Sequence, residues 1–146
     1  MRILGIFAII VVALTMMVGT ATAGGKGAGK APLYDTAAGF TCADGATDTA
    51  GPTFGFAVMN INRSGDLIVQ ASVKRGTANA TYDIWVNQDP GACPLGAPQF
   101  AGALTTNRRG NGNAHVTIDP VDGAENYWVS VVGGGQVLRS QSVQLK

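Results

Sequence analysis

The stretch Thr105–Val116, TTNRRGNGNAHV, gathers much of what this chain could use for chemistry. It holds two glycines one residue apart, the pair Arg108-Arg109, three asparagines and His115, the only histidine. A dinucleotide-binding loop needs G-x-G-x-x-G leading from a strand into a helix, so that helical N–H groups meet the pyrophosphate. Gly110 and Gly112 fit its first two positions, but histidine stands at the third, and the following HVTID alternates like a strand. No Gly-Lys-Ser/Thr follows, which excludes a P-loop. Asn107–Asn113 is rich in residues that tolerate positive φ, as a hairpin turn requires. The stretch therefore reads as a hairpin turn joining two paired strands. Arg108 and Arg109 sit at its exposed tip, solvated unless a carboxylate or phosphate meets them.

The remaining reactive residues are thinly spread. One histidine and a bonded cysteine pair cannot make a zinc site. A Ser-His-Asp triad has no G-x-S-x-G elbow to build on, and Ser130, Ser140 and Ser142 fall inside alternating segments. Asp119, Asp122 and Glu125 could offer oxygen ligands to calcium, as could Asp44 with Asp48. Neither group has EF-hand spacing, and both read as turn residues. No catalytic residue, metal or cofactor is expected, and a hydrolase would have to rest on residues with no recognisable motif. Cys42 and Cys93 are the only cysteines and form no C-x-x-C. In an exported chain such a pair reads as a disulfide, worth about 4 kcal/mol on the chain-entropy model.

Export is expected from the first residues. Met1-Arg2 supplies a positive charge, Ile3–Val18 is almost unbroken apolar sequence, and Ala21-Thr22-Ala23 is a small-residue cleavage site. Residues 1–23 thus read as a signal peptide. The alternative, an uncleaved anchor, needs about 20 apolar residues to span a bilayer, and this run is shorter. The expectation is a secreted or cell-surface protein with no stable membrane anchor after cleavage. Removing Arg2 leaves nine Lys/Arg against nine Asp/Glu. That balance gives no electrostatic case for nucleic acid or an anionic membrane.

The elements that must position these residues are strands. Gly24–Pro32 is a glycine-rich basic leader, and Leu33–Pro52 has no periodicity. Residues 24–52 are expected to be a flexible leader and an irregular segment pinned through Cys42. Over residues 53–146, short alternating runs are stopped by turn residues: Thr53–Ile61, Leu67–Lys74, Thr81–Gln88, Ala101–Thr106, Ala114–Asp119, Asn126–Val132 and Val137–Leu145. The loop Asp89–Phe100 carries three prolines and Cys93. Seven strands without an amphipathic helix argue for antiparallel sheets packed as a sandwich. A closed barrel is the alternative, because strand count does not separate the two.

The phrases NATYDIWVNQ, GALTTNRRGNGNAHV and GAENYWVSVV, with the cysteine soon after the first, resemble small exported prokaryotic domains with an immunoglobulin-like or fibronectin-like sandwich. The resemblance spans about Phe54 to Leu145 and rests on structural features: a tyrosine entering a strand, a hairpin glycine, an inter-loop cysteine. It implies an antiparallel seven-stranded immunoglobulin-like fold and an exported location. It carries over no catalytic residue.

In such a sandwich the third and sixth strands are neighbours, and they bear Trp85 and Trp128. Parity sets Tyr82, Ile84 and Val86 with Tyr127, Val129 and Val131 in the core. It leaves Trp85 beside Asp83 and Asn87, and Trp128 beside Asn126 and Ser130, on the other face. Two indoles among amide and carboxylate groups suit a sugar-binding platform. The alternative is a tryptophan turned inward or covered by Leu33–Pro52 or the long loop, since tryptophan is usually buried. Asn62-Arg63-Ser64 and Asn79-Ala80-Thr81 match the N-glycosylation pattern at expected turns. The function expected is an exported, non-catalytic interaction or structural module with a protein or glycan partner at the cell surface. The alternative is a carbohydrate-binding module using Trp85, Trp128, Asp83 and Asn87.

Overall fold

A computed structural model of the chain describes residues 27–35, 40–41, 44–89 and 98–145. The expected signal peptide, Cys42 and Cys93 lie outside the described residues. The described residues form strands and no helix: β1 Gly29–Asp35, β2 Phe40–Thr41, β3 Gly45–Ala46, β4 Thr53–Ile61, β5 Leu67–Val73, β6 Thr81–Gln88, β7 Gln99–Thr105, β8 Gly112–Ile118, β9 Asn126–Gly133, β10 Gln136–Ser140 and β11 Val143–Gln144. Each of the seven strands expected from alternation is present. The last of them is divided into β10 and β11.

One antiparallel sheet runs in the order β7-β6-β9-β10-β1-β4-β5-β8, with β11 also paired to β9; β2 and β3 form a separate small hairpin. The two ends of that order, β7 and β8, come side by side. A Cβ built on Gly102 of β7 would lie 2.9 Å from a methyl of Val116 on β8. The sheet therefore curls into a nearly closed barrel, a single layer wrapped on itself. Wrapping removes most of the exposed strand edge that an open sheet would present.

Period-two alternation sends one face of every long strand inward. Leu67, Val69 and Val73 on β5, Tyr82, Ile84 and Val86 on β6, and Val129 and Val131 on β9 are all buried in one core. Ile84 faces Val131 and Val86 faces Val129 across the β6–β9 ladder, so branched side chains interlock as cross-strand pairs. Each such side chain, fully buried, contributes roughly 1.5–3 kcal/mol.

Two expectations are corrected. Part of the expected leader is β1, which bonds to β10 on one side and β4 on the other, with Leu33 fully buried. Pro32 is tolerated inside it because the ladder to β10 begins only at Leu33; beyond that point Gln141 turns away to bridge Gly45. A proline has no N–H to give a ladder, so it fits where one flank is free.

The second correction concerns the stretch Thr105–Val116. It is a turn between two strands, but those strands are not each other's ladder partners. β7 bonds to β6 and β8 to β5. Much of the turn's hydrogen bonding goes to the loop between β5 and β6. Asn79 N–H donates to the Asn107 carbonyl (3.1 Å), Gly76 N–H to that of Gly110 (2.9 Å), and Thr106 N–H to that of Ala80 (2.9 Å).

Candidate functional site

Outward-facing residues of β6 and its neighbours gather the four residues expected to bind a ligand. Asp83, Trp85 and Asn87 alternate along β6, and β9 places Val132, Ser130 and Trp128 directly opposite them. On the other side Phe100 of β7 faces Trp85. The two rings meet edge to face, centroids 5.3 Å apart at 66°, the arrangement aromatic quadrupoles favour. Asp83 is exposed, Trp85 half-buried, and Phe100 53% exposed. Val132, beside Asp83, is 37% exposed.

Trp128 does not present an open face. It is 3% exposed, and the β2–β3 hairpin covers it. A Cβ on Gly45 would stand 3.0 Å from the indole and 2.2 Å from the Ser140 carbonyl oxygen, and Gly45 has φ +72°. Only glycine fits that approach with that backbone. The hairpin docks on a bulge: from Arg139 opposite Ser130 to Val143 opposite Tyr127, four steps on one strand match three on the other. At this irregularity the Ser140 hydroxyl accepts from Val129 N–H at 2.9 Å, and Ser142 N–H donates to the Asp44 carbonyl at 2.7 Å. The segment Leu33–Pro52 thus supplies the cover that the sequence named as the alternative to a platform.

Asn87 is 1% exposed, and neither its amide nitrogen nor its amide oxygen has a hydrogen-bond partner among the described residues. Ser130 is buried as well. Arg139 lies opposite it on β10, and desolvation lowers the Arg139 guanidinium from its ordinary value. Phe100, Ser130 and Arg139 were not among the expected site residues. Their signal was β7 starting at Gln99, inside a segment read as loop, and the outward parity of β9 and β10.

Other candidates take ordinary places. His115 is exposed on β8 opposite Gln70. Arg108 and Arg109 are exposed in their turn, where Asn107 Oδ1 accepts from Arg109 N–H at 2.8 Å. Asp44 and Asp48 accept local turn bonds from the Thr41 hydroxyl and Ala50 N–H. Among the described residues no group of three or more His, Cys, Asp or Glu could hold a metal ion. Asn62 has both ends of its amide engaged with Asp66, at 2.8 and 2.9 Å. Asn79 is exposed in a left-handed conformation, φ 51°.

Comparison with protein-family models, with curated proteins and with solved structures finds no match.

Proposed function

We propose that this chain is an exported, non-catalytic binding module that meets a protein partner at the cell surface through the outer face of β6, β7 and β9. The observation that carries the reading is the Phe100–Trp85 pair, with Val132 on the far side of Asp83. Phe100 and Val132 are two of the three large exposed hydrophobics among the described residues, and both flank β6 on one face. Exposed apolar surface of this kind, rimmed by polar groups such as Asp83, is characteristic of contact sites. The test is binding of the purified protein to its own cell envelope, wild type against Phe100→Ser. Equal binding by both removes this face from the reading.

A second reading, a carbohydrate module, is favoured by Asp83 and Trp85 standing two residues apart on that face, a carboxylate beside a half-exposed indole. Trp85 is then the stacking ring, and Trp128 a buried support beneath the hairpin. Titration with a glycan panel, followed by tryptophan emission in Trp85→Phe and wild type, tests it. Spectra unchanged by every glycan remove it.

Cleavage after Ala23 and a Cys42–Cys93 disulfide belong to the same proposal. The described residues flanking the two cysteines support the pairing. Gly45, shortly after Cys42, packs on Trp128, and Asn87, in the strand leading toward Cys93, faces Trp128. Intact mass before and after reduction and alkylation tests the bond. The immunoglobulin-like kinship rests on the alternating strands from Thr53 onward; the single curled sheet and the inserted β1 count against its seven-stranded form.

A further inference from the structure

Among the described residues, exposed cations and exposed carboxylates gather at opposite ends of the fold. At one end of the barrel lie the loops Lys74–Ala80 and Thr106–Asn111, joined by Gly76 N–H to the Gly110 carbonyl and by Arg75 N–H to Asn111 Oδ1 at 3.2 Å. Lys74, Arg75, Arg108 and Arg109 therefore share one rim, and all four are exposed. Arg75 donates to the Thr53 carbonyl at 2.9 Å, and Lys74, Arg108 and Arg109 have no ion pair among the described residues. Asp35, at the end of β1, and the exposed Asp83, two residues in from the start of β6, are acids toward this side.

The opposite end is acidic. The connection after β8 carries Asp119, Asp122 and Glu125, β6 runs out into Asp89, and all four are exposed. Asp66 lies in the β4–β5 turn, bonded to Asn62. Arg63 is in that turn, and Lys30, with its ammonium 4.2 Å from the Phe56 ring centre, lies nearer this end than the other. Strands of this length separate the two rims by about 25 Å. That exceeds the Debye length of about 8 Å at physiological salt. Each rim thus acts on what faces it and is blind to the other.

We propose that this chain associates head to tail with further copies of itself, the basic rim of one molecule seated on the acidic rim of the next. A polyanion would engage the four cations and leave the four exposed carboxylates unused, whereas a second copy engages both in one contact. Because the two surfaces are different and face away from each other, the contact is heterologous and does not close, so it extends into linear chains. Exposed ion pairs are individually weak and screened by salt. The association is therefore loose, rapid and suited to a protein concentrated at one place.

Sedimentation velocity across a concentration series tests this, using protein expressed from the full sequence at about 20 mM and about 0.5 M salt. The expected result is a sedimentation coefficient that climbs with concentration at low salt and returns to the monomer value at high salt. Arg108→Glu/Arg109→Glu and Asp119→Lys/Asp122→Lys each weaken association about tenfold or more, while an equimolar mixture of the two recovers it. Circular dichroism confirms that both variants are folded. A wild type monomeric throughout, association that survives high salt, or variants that associate like wild type would each overturn the proposal. So would a basic rim that binds polyglutamate while the protein alone stays monomeric, since that assigns the rim to another occupant.

Discussion

Asn87 and Gln88 are consecutive, equally buried, and opposite in how their amides are met. Gln88 donates to Gln99 Oε1 at 3.0 Å and accepts from Val121 N–H at 2.8 Å, tying the β8–β9 connection to the mouth of the barrel. Asn87, facing outward, has no partner among the described residues for either end of its amide. A buried amide without partners costs about 1–3 kcal/mol. Asn87→Leu, which keeps the branched four-heavy-atom side-chain skeleton, is therefore expected to raise the unfolding free energy by about that amount. Urea denaturation measures it. A loss of stability instead would mean that something bound, water included, already satisfies the amide.

Gly45 holds the hairpin down on Trp128. Gly45→Ala forces a Cβ against the Ser140 carbonyl in a left-handed backbone, and strain of this sort costs about 1–3 kcal/mol. The hairpin is expected to lift while the barrel stays folded. Tryptophan emission shifts to longer wavelength, with Trp85→Phe as the background that isolates Trp128. An unchanged spectrum would show that the indole is not covered in this way.

Leu33 tests whether β1 is structural. Its side chain is fully buried in the barrel core, so Leu33→Ala is expected to destabilise the protein by about 2–5 kcal/mol. The same change in a flexible leader would move the unfolding midpoint negligibly.

Alkaline stability follows from Tyr127. Burial, reinforced by the Glu125 carboxylate, holds its hydroxyl above the usual phenol value of 10.0, and the group donates to the Ala124 carbonyl at 2.8 Å. A group that keeps its proton more tightly when folded contributes stability that is complete below pH 10 and drains away as pH rises through its folded value. Unfolding free energy should fall above pH 10, and less steeply in Tyr127→Phe. Parallel slopes for the two proteins would assign the decline to other groups.

Strand existence and facing were legible because alternation is a local signal. The inward sets Leu67/Val69/Ala71/Val73, Tyr82/Ile84/Val86 and Tyr127/Val129/Val131 follow directly from parity. β1 was not legible: GKAPLYD offers only Ala31 and Leu33 as inward apolar residues, and its glycine and proline mimic a linker. Pairing was not legible either. Adjacency in sequence suggested that β7 and β8 bond to each other, whereas long-range registers draw them to β6 and β5. For the ligand-binding candidates, parity grouped Asp83, Trp85 and Asn87 on one face. It could not reveal that a hairpin from a featureless segment lies over Trp128, because nothing in the local pattern marks a contact so distant along the chain.

The position of β1 sets an order of events in the assembly of the barrel. It is the first of these strands in the chain, yet one of its two neighbours is β10, the tenth of the eleven. Apart from the β7–β8 seam, it is the keystone between the half carrying β4, β5 and β8 and the half carrying β6, β7, β9 and β10. The arch of β4, β5 and β8 can assemble by itself, but nothing locks it to the other arch until β10 is in place, so closure of the barrel waits on strands far along the chain from β1.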